Sequence, residues 1–133
     1  MSLFMRSLMR IGPLAGTGAI TLGLLHWFFD ISFLQLHMLL GVVVTLALLT
    51  SGSVAVCTKG LRLQGASAIV FALVVPVFGI TQMQILVGDF HWLIRVAHLL
   101  VGAAAVILTE RIGEHYMQIK QKLVVGKEVI QAS

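Results

Sequence analysis

Residues 33–58 read FLQLHMLLGVVVTLALLTSGSVAVCT, a run without a single Asp, Glu, Lys or Arg and with one histidine, His37. A hydrocarbon core about 30 Å thick is crossed by about 20 apolar residues in a helix. This run is long enough, and it is continuous rather than alternating, which excludes a barrel strand. Working outward, three further stretches qualify: Leu8 to Phe29, Arg62 to Leu86, and Phe90 to Ile112. Only Asp30-Ile31-Ser32, Lys59-Gly60-Leu61 and Val87-Gly88-Asp89 separate the four. Connections this short make neighbouring helices antiparallel. The expected fold is therefore all-α: an integral membrane four-helix up-down-up-down bundle over residues 1–113, with a tail at 114–133.

Composition agrees. The 133 residues are 59% hydrophobic and 11% charged, with a mean hydropathy of +1.03, whereas soluble domains carry about 25% charged residues. The net charge of +4 does not form a basic patch with interleaved aromatics, so no nucleic-acid partner is expected. One cysteine, Cys57, rules out an intrachain disulfide, and no Cys-x-x-Cys-His is present for covalent haem. Arg6 and Arg10 ahead of an apolar run imitate a signal peptide. No convincing small-x-small cleavage site follows before Trp27 and three more spans come after it, so the segment reads as a retained first span.

The charges also orient the bundle. Arg6 and Arg10 precede span 1, Lys59 and Arg62 lie between spans 2 and 3, and Arg111, Lys120, Lys122 and Lys127 follow the core of span 4. The opposite connections carry only Asp30 and Asp89. The positive-inside rule then puts both termini in the cytoplasm (N-in/C-in), with Trp27 and Trp92 in the outer aromatic belt. The expected location is a bacterial cytoplasmic (inner) membrane.

A histidine inside a span is a functional hypothesis by default, because an unpartnered polar group in hydrocarbon is costly. His37 opens His-Met-Leu-Leu-Gly and His98 opens His-Leu-Leu-Val-Gly, so each is followed four residues later by a glycine, Gly41 and Gly102. Positions four apart share a helix face. With about 1.5 Å of rise per residue, His37 lies roughly 6 Å and His98 roughly 12 Å below the outer ends of their spans. In a sequential bundle spans 2 and 4 are diagonal, so their inner faces meet. Two imidazoles can then reach one iron from opposite sides, with the glycines leaving room for a macrocycle. Haem iron is commonly held by axial histidine. The halves echo each other as a parallel repeat, although short apolar sequences also resemble one another by chance.

Other polar residues have competing readings. His26 and His91, nearer the outer surface, can form a second haem site, contact a quinone or propionate, or face interfacial water. Arg95 can pair with a haem propionate or snorkel to the headgroups. Thr81, Gln82 and Gln84 can cap span 3 or contact a cofactor. Span 1 carries Gly12, Gly16, Ala19, Gly23 and His26 on one stripe, the small-residue surface on which membrane helices pack. Pro76 permits a kink in span 3. His115 is expected in water, and Met117, Ile119, Leu123 and Val124 among lysines read as an amphipathic extension or interfacial helix, with cover by a partner subunit or a solvated continuation of span 4 as alternatives.

Four spans with His37-to-Gly41 and His98-to-Gly102 resemble the small membrane b-type cytochromes and the haem-carrying anchor subunits of respiratory complexes. The resemblance implies haem b, one group rather than two, bound by transmembrane histidines. It also implies electron exchange with quinone or a periplasmic electron carrier, and partners among other membrane subunits or further copies of the chain. All four membrane-level histidines lie towards the outer face, which departs from cytochromes that stack two haems across the bilayer. Two other classes compete: a non-catalytic structural or accessory subunit, and a metal or proton transporter. The small multidrug transporters share this size but depend on an acidic residue in the first span, which is lacking here. No Ser-His-Asp set, phosphate loop or paired carboxylates support a hydrolase or kinase.

Overall fold

The computed structural model describes the backbone of residues 2–132 and the side chains of residues 7, 8, 10–125 and 130. Four helices make up the chain: α1 (Ser2–Phe29), α2 (Leu34–Val56), α3 (Arg62–Thr81) with a 3-10 turn at Gln82–Gln84, and α4 (His91–Ala132). No strand occurs among the described residues. Each helix contains a segment long and apolar enough to cross a membrane: 10–29, 34–56, 62–84 and 91–125, with mean hydropathies of 1.2, 2.2, 2.1 and 1.9. Between 17% and 33% of the most apolar window of each is buried, so most of this apolar surface faces outward. The side chains of Arg6 and Lys127, used above for orientation, lie outside the described residues.

Helix ends differ from the expected ones for local reasons. Helix α1 begins at Ser2 rather than Leu8 and contains Pro13. It ends where Asp30 turns left-handed at φ 55, a conformation Asp tolerates better than most residues. Helix α3 stops at Thr81 instead of Leu86, tightening into the 3-10 turn as helix ends often do. Leu86 at φ 47 and Gly88 at φ 105 then break any helical continuation. Helix α4 does not stop at Ile112. It runs unbroken to Ala132, because Tyr116 and Ile119 continue to pack on the core cluster and residues 114–122 include good helix formers.

The core is built from small side chains. Ala47, Leu48, Ala55, Leu61, Ala68, Ala72, Ala105 and Ile112 are each at most 2% exposed. Helices α1 and α2 approach through Gly12 against Ala47 and Gly16 against Val44, while the same glycines meet Thr109 and Val106 of α4. The tightest crossing is between α2 and α3. A Cβ added at Gly65 would stand 2.5 Å from the Val56 amide nitrogen and 2.7 Å from the Gly52 carbonyl oxygen. Sequence neighbours pack on one another, α1 packs on α4, and α2 also touches α4 across the bundle; among the described residues α1 and α3 share no contact.

Hydroxyls inside the helices are satisfied locally. Thr45, Thr50, Ser51, Ser53, Ser67 and Thr109 each donate to the carbonyl four residues back, at 2.7–3.0 Å. This back-bonding removes the need for water in a lipid interior.

The backbone contact at Gly65 leaves no room for a methyl group, so Gly65→Ala should destabilise the bundle by about 1–3 kcal/mol, as overpacking does. At Gly41 a Cβ would meet nothing within 4 Å, so Gly41→Ala should hold or raise stability by up to about 1 kcal/mol through helix propensity. Unfolding titrations in mixed detergent micelles check both.

Candidate functional site

The contact between α2 and α4 brings His37 and His98 together. Their ring centroids are 6.0 Å apart and the ring planes are inclined by 52°. Each ring lies against a glycine of the preceding helix. A Cβ at Gly23 of α1 would stand 3.5 Å from His37 Cε1, and one at Gly79 of α3 would stand 3.5 Å from His98 Cε1. The two halves of the chain thus set their histidines against correspondingly placed glycines, where an added Cβ would make ordinary van der Waals contact with the ring.

Polar contacts are not equivalent. The Nδ1–H of His37 donates to the Ala19 carbonyl oxygen on α1 at 2.9 Å. Because a carbonyl only accepts, this bond fixes the neutral tautomer, with the proton on Nδ1 and the lone pair on Nε2. Ala19 precedes Gly23 by four residues, so the ring that reaches this carbonyl lies against Gly23. The corresponding carbonyl on α3 is that of Val75, four residues before Gly79, and it takes no bond from His98. Neither nitrogen of His98 has a hydrogen bond within the described residues, and its Nδ1 is buried without a partner. Phe78 flanks this ring, with centroids 5.8 Å apart and planes inclined by 57°.

The donor set defines what the pair can hold. Metal–imidazole bonds are about 2.0–2.1 Å, so two imidazoles in line on one metal have ring centres about 6 Å apart, close to the separation found here. No group of three or more His, Cys, Asp or Glu side chains is gathered for a metal among the described residues, whereas a tetrahedral protein zinc site needs three or four. Two imidazoles at this separation match the donor set of an iron whose remaining ligands come from a macrocycle. At Gly41 and Gly102, one turn from each histidine, an added Cβ would have nothing within 4 Å.

The other sequence candidates are elsewhere. His26 is exposed at the end of α1, and His91 starts α4 with Nδ1 3.4 Å from the Ile85 carbonyl. No ring contact joins these two among the described residues. Arg95 is exposed, makes no ion pair among the described residues, and shares an open depression of about 460 Å³ with Met83, Asp89, His91 and Trp92. Thr81 bonds the Val77 carbonyl of its own helix and neither caps nor contacts the pair. His115 takes Gln64 as partner at 3.1 Å rather than water alone. The sequence reading missed Phe78, which carried no signal, and the Ala19 carbonyl, which no side-chain pattern reveals. Gly23 was visible in the small-residue stripe, but as packing surface. Comparison with family models, curated proteins and solved structures finds no match to this chain.

In protein prepared without haem the two histidines should differ in sign. His37→Leu removes an interhelical hydrogen bond and should cost about 0.6–1.7 kcal/mol, the range for such bonds in membranes. His98→Leu removes an unsatisfied buried nitrogen and should be neutral, or stabilising by up to about 1–3 kcal/mol. Equal losses in unfolding titrations of the two variants would contradict the asymmetry.

Proposed function

We propose that this chain is a membrane b-type haem protein that relays electrons near the outer face of the bilayer, alone or within a larger complex, with His37 and His98 as axial ligands. The observation that carries this reading is the 6.0 Å separation of two imidazoles, one of them held in the ligand tautomer by a backbone carbonyl. Metal-bound histidines almost always donate their other N–H in this way. When bound, the haem supplies one-electron iron chemistry at a potential tuned by its axial ligands and surroundings. The protein's part is to orient both rings, exclude water and keep the site apolar.

The bundle is proposed to run up-down-up-down with both termini in the cytoplasm, in a bacterial inner membrane. Contact pairs such as Gly12 with Ala47 and Gly23 with His37 favour antiparallel neighbours, and the distribution of Lys and Arg favours this sidedness. The histidine pair then lies in the half nearer the Asp30 and Asp89 connections. A membrane quinone or a periplasmic carrier would exchange electrons from that side. One haem is proposed rather than two, since His26 and His91 do not meet. Arg95 stands near the same end, where its guanidinium can receive a carboxylate bidentately.

One observation favours a second reading. The bond from His37 to Ala19 joins α1 to α2, so the histidines can equally serve as interhelical clips in a structural subunit. Absorption spectra separate the two. Protein made with ample haem should show a Soret band, with sharp α and β bands after dithionite reduction. A featureless visible spectrum would leave the structural reading in possession. Sidedness is tested through Cys57, exposed at the end of α2. In intact cells an impermeant maleimide should spare Cys57 and label Ser32→Cys in a Cys57→Ser background, and the reverse pattern would invert the orientation.

A further inference from the structure

The two imidazoles of the proposed haem site are not held alike, and this difference has a chemical consequence. His37 is anchored twice: by its backbone on α2 and by the 2.9 Å bond from Nδ1 to the Ala19 carbonyl on α1. That bond fixes the ring about its side-chain torsions and pushes electron density toward Nε2, which strengthens donation to a metal. His98 is held by packing alone, between His37, Phe78 and the Gly79 surface. No carbonyl or side chain fixes its tautomer, and its Nδ1 is buried without a partner. Loss of such an outer bond weakens a histidine ligand by about 10–100-fold.

We propose that His98 is the displaceable ligand, so that the site binds a small neutral diatomic molecule at the iron on the α4 side while His37 stays coordinated. This rests on the haem reading above. The exchange is a ligand substitution without net redox change. With haem bound, His98 would give up its bond to the ferrous iron and remain a neutral imidazole, while the incoming molecule would supply the replacing lone pair. His98 on α4 would then be the exchangeable side of the site and His37, tied to the α1–α2 pair, the fixed side.

Carbon monoxide is the probe, applied to the full-length, haem-loaded, dithionite-reduced protein in detergent or nanodiscs. The expected result is conversion of the six-coordinate low-spin spectrum to a carbonyl adduct. His98→Gly should retain haem in a five-coordinate high-spin form, bind carbon monoxide at least about 10-fold faster than the unaltered chain, and regain the low-spin spectrum with added imidazole. His37→Gly should hold haem at least about 10-fold more weakly than His98→Gly. A reduced haem that stays low-spin under saturating carbon monoxide overturns the proposal while leaving the haem reading intact. So do equal haem loss in both glycine variants without imidazole rescue, and retention of haem by His37→Gly alone. Absence of any Soret band in the unaltered protein overturns the haem reading itself, and this inference with it.

Discussion

A helix surrounded by lipid has no water to fall back on, so every polar group must find a partner within the protein. Much of this structure follows from that constraint. It selects helices, which close their backbone hydrogen bonds internally, and it turns buried hydroxyls back onto their own helices, as at Ser51 and Thr109. It also makes the histidines conspicuous. His37 obeys by crossing to the Ala19 carbonyl, whereas His98 does not. A buried nitrogen without a hydrogen bond costs about 1–3 kcal/mol, and a chain otherwise so economical with polar groups retains it opposite a second imidazole.

Packing determines where such a pair can exist. Lipid offers little hydrophobic drive between helices, so close approach through small residues supplies the attraction. Gly52 and Gly65 bring the backbones of α2 and α3 together near their short connection, and Gly12 and Gly16 seat α1 against α2 and α4. The tightly packed layers hold Leu48, Ala55, Leu61 and Ala68 almost wholly buried. Toward the opposite end, the two imidazoles lie against Gly23 and Gly79, and Cβ positions at Gly41 and Gly102 have no neighbour within 4 Å.

The spans were legible in the sequence because hydrophobic length is nearly sufficient to define a membrane helix. Runs such as 33–58 leave few alternatives. The pairing of His37 with His98 was legible too, through matched spacing to Gly41 and Gly102 and through the short connections that make spans 2 and 4 diagonal. Helix ends were less so, because the left-handed turn at Leu86 has no signature in its side chain. For α4 the change from apolar to charged residues at Glu110 and Arg111 marks the end of the apolar run but not of the helix, so in the sequence its continuation is one of several readings of the tail. What composition could not convey was the inequality of the histidines. It depends on a main-chain oxygen at Ala19, and every residue contributes such an oxygen alike.

Helix α4 carries His98 near its first turns and runs on as one rod to Ala132. Past Lys120 its side chains at Gln121 to Val125 are exposed, beyond the support that Ile112, Tyr116 and Ile119 receive from the core cluster. With about 1.5 Å of rise per residue, His98 lies roughly 21 Å before Ile112 and the exposed segment begins roughly 14 Å after it. One continuous helix thus joins the histidine pair to side chains left uncovered beyond the core cluster.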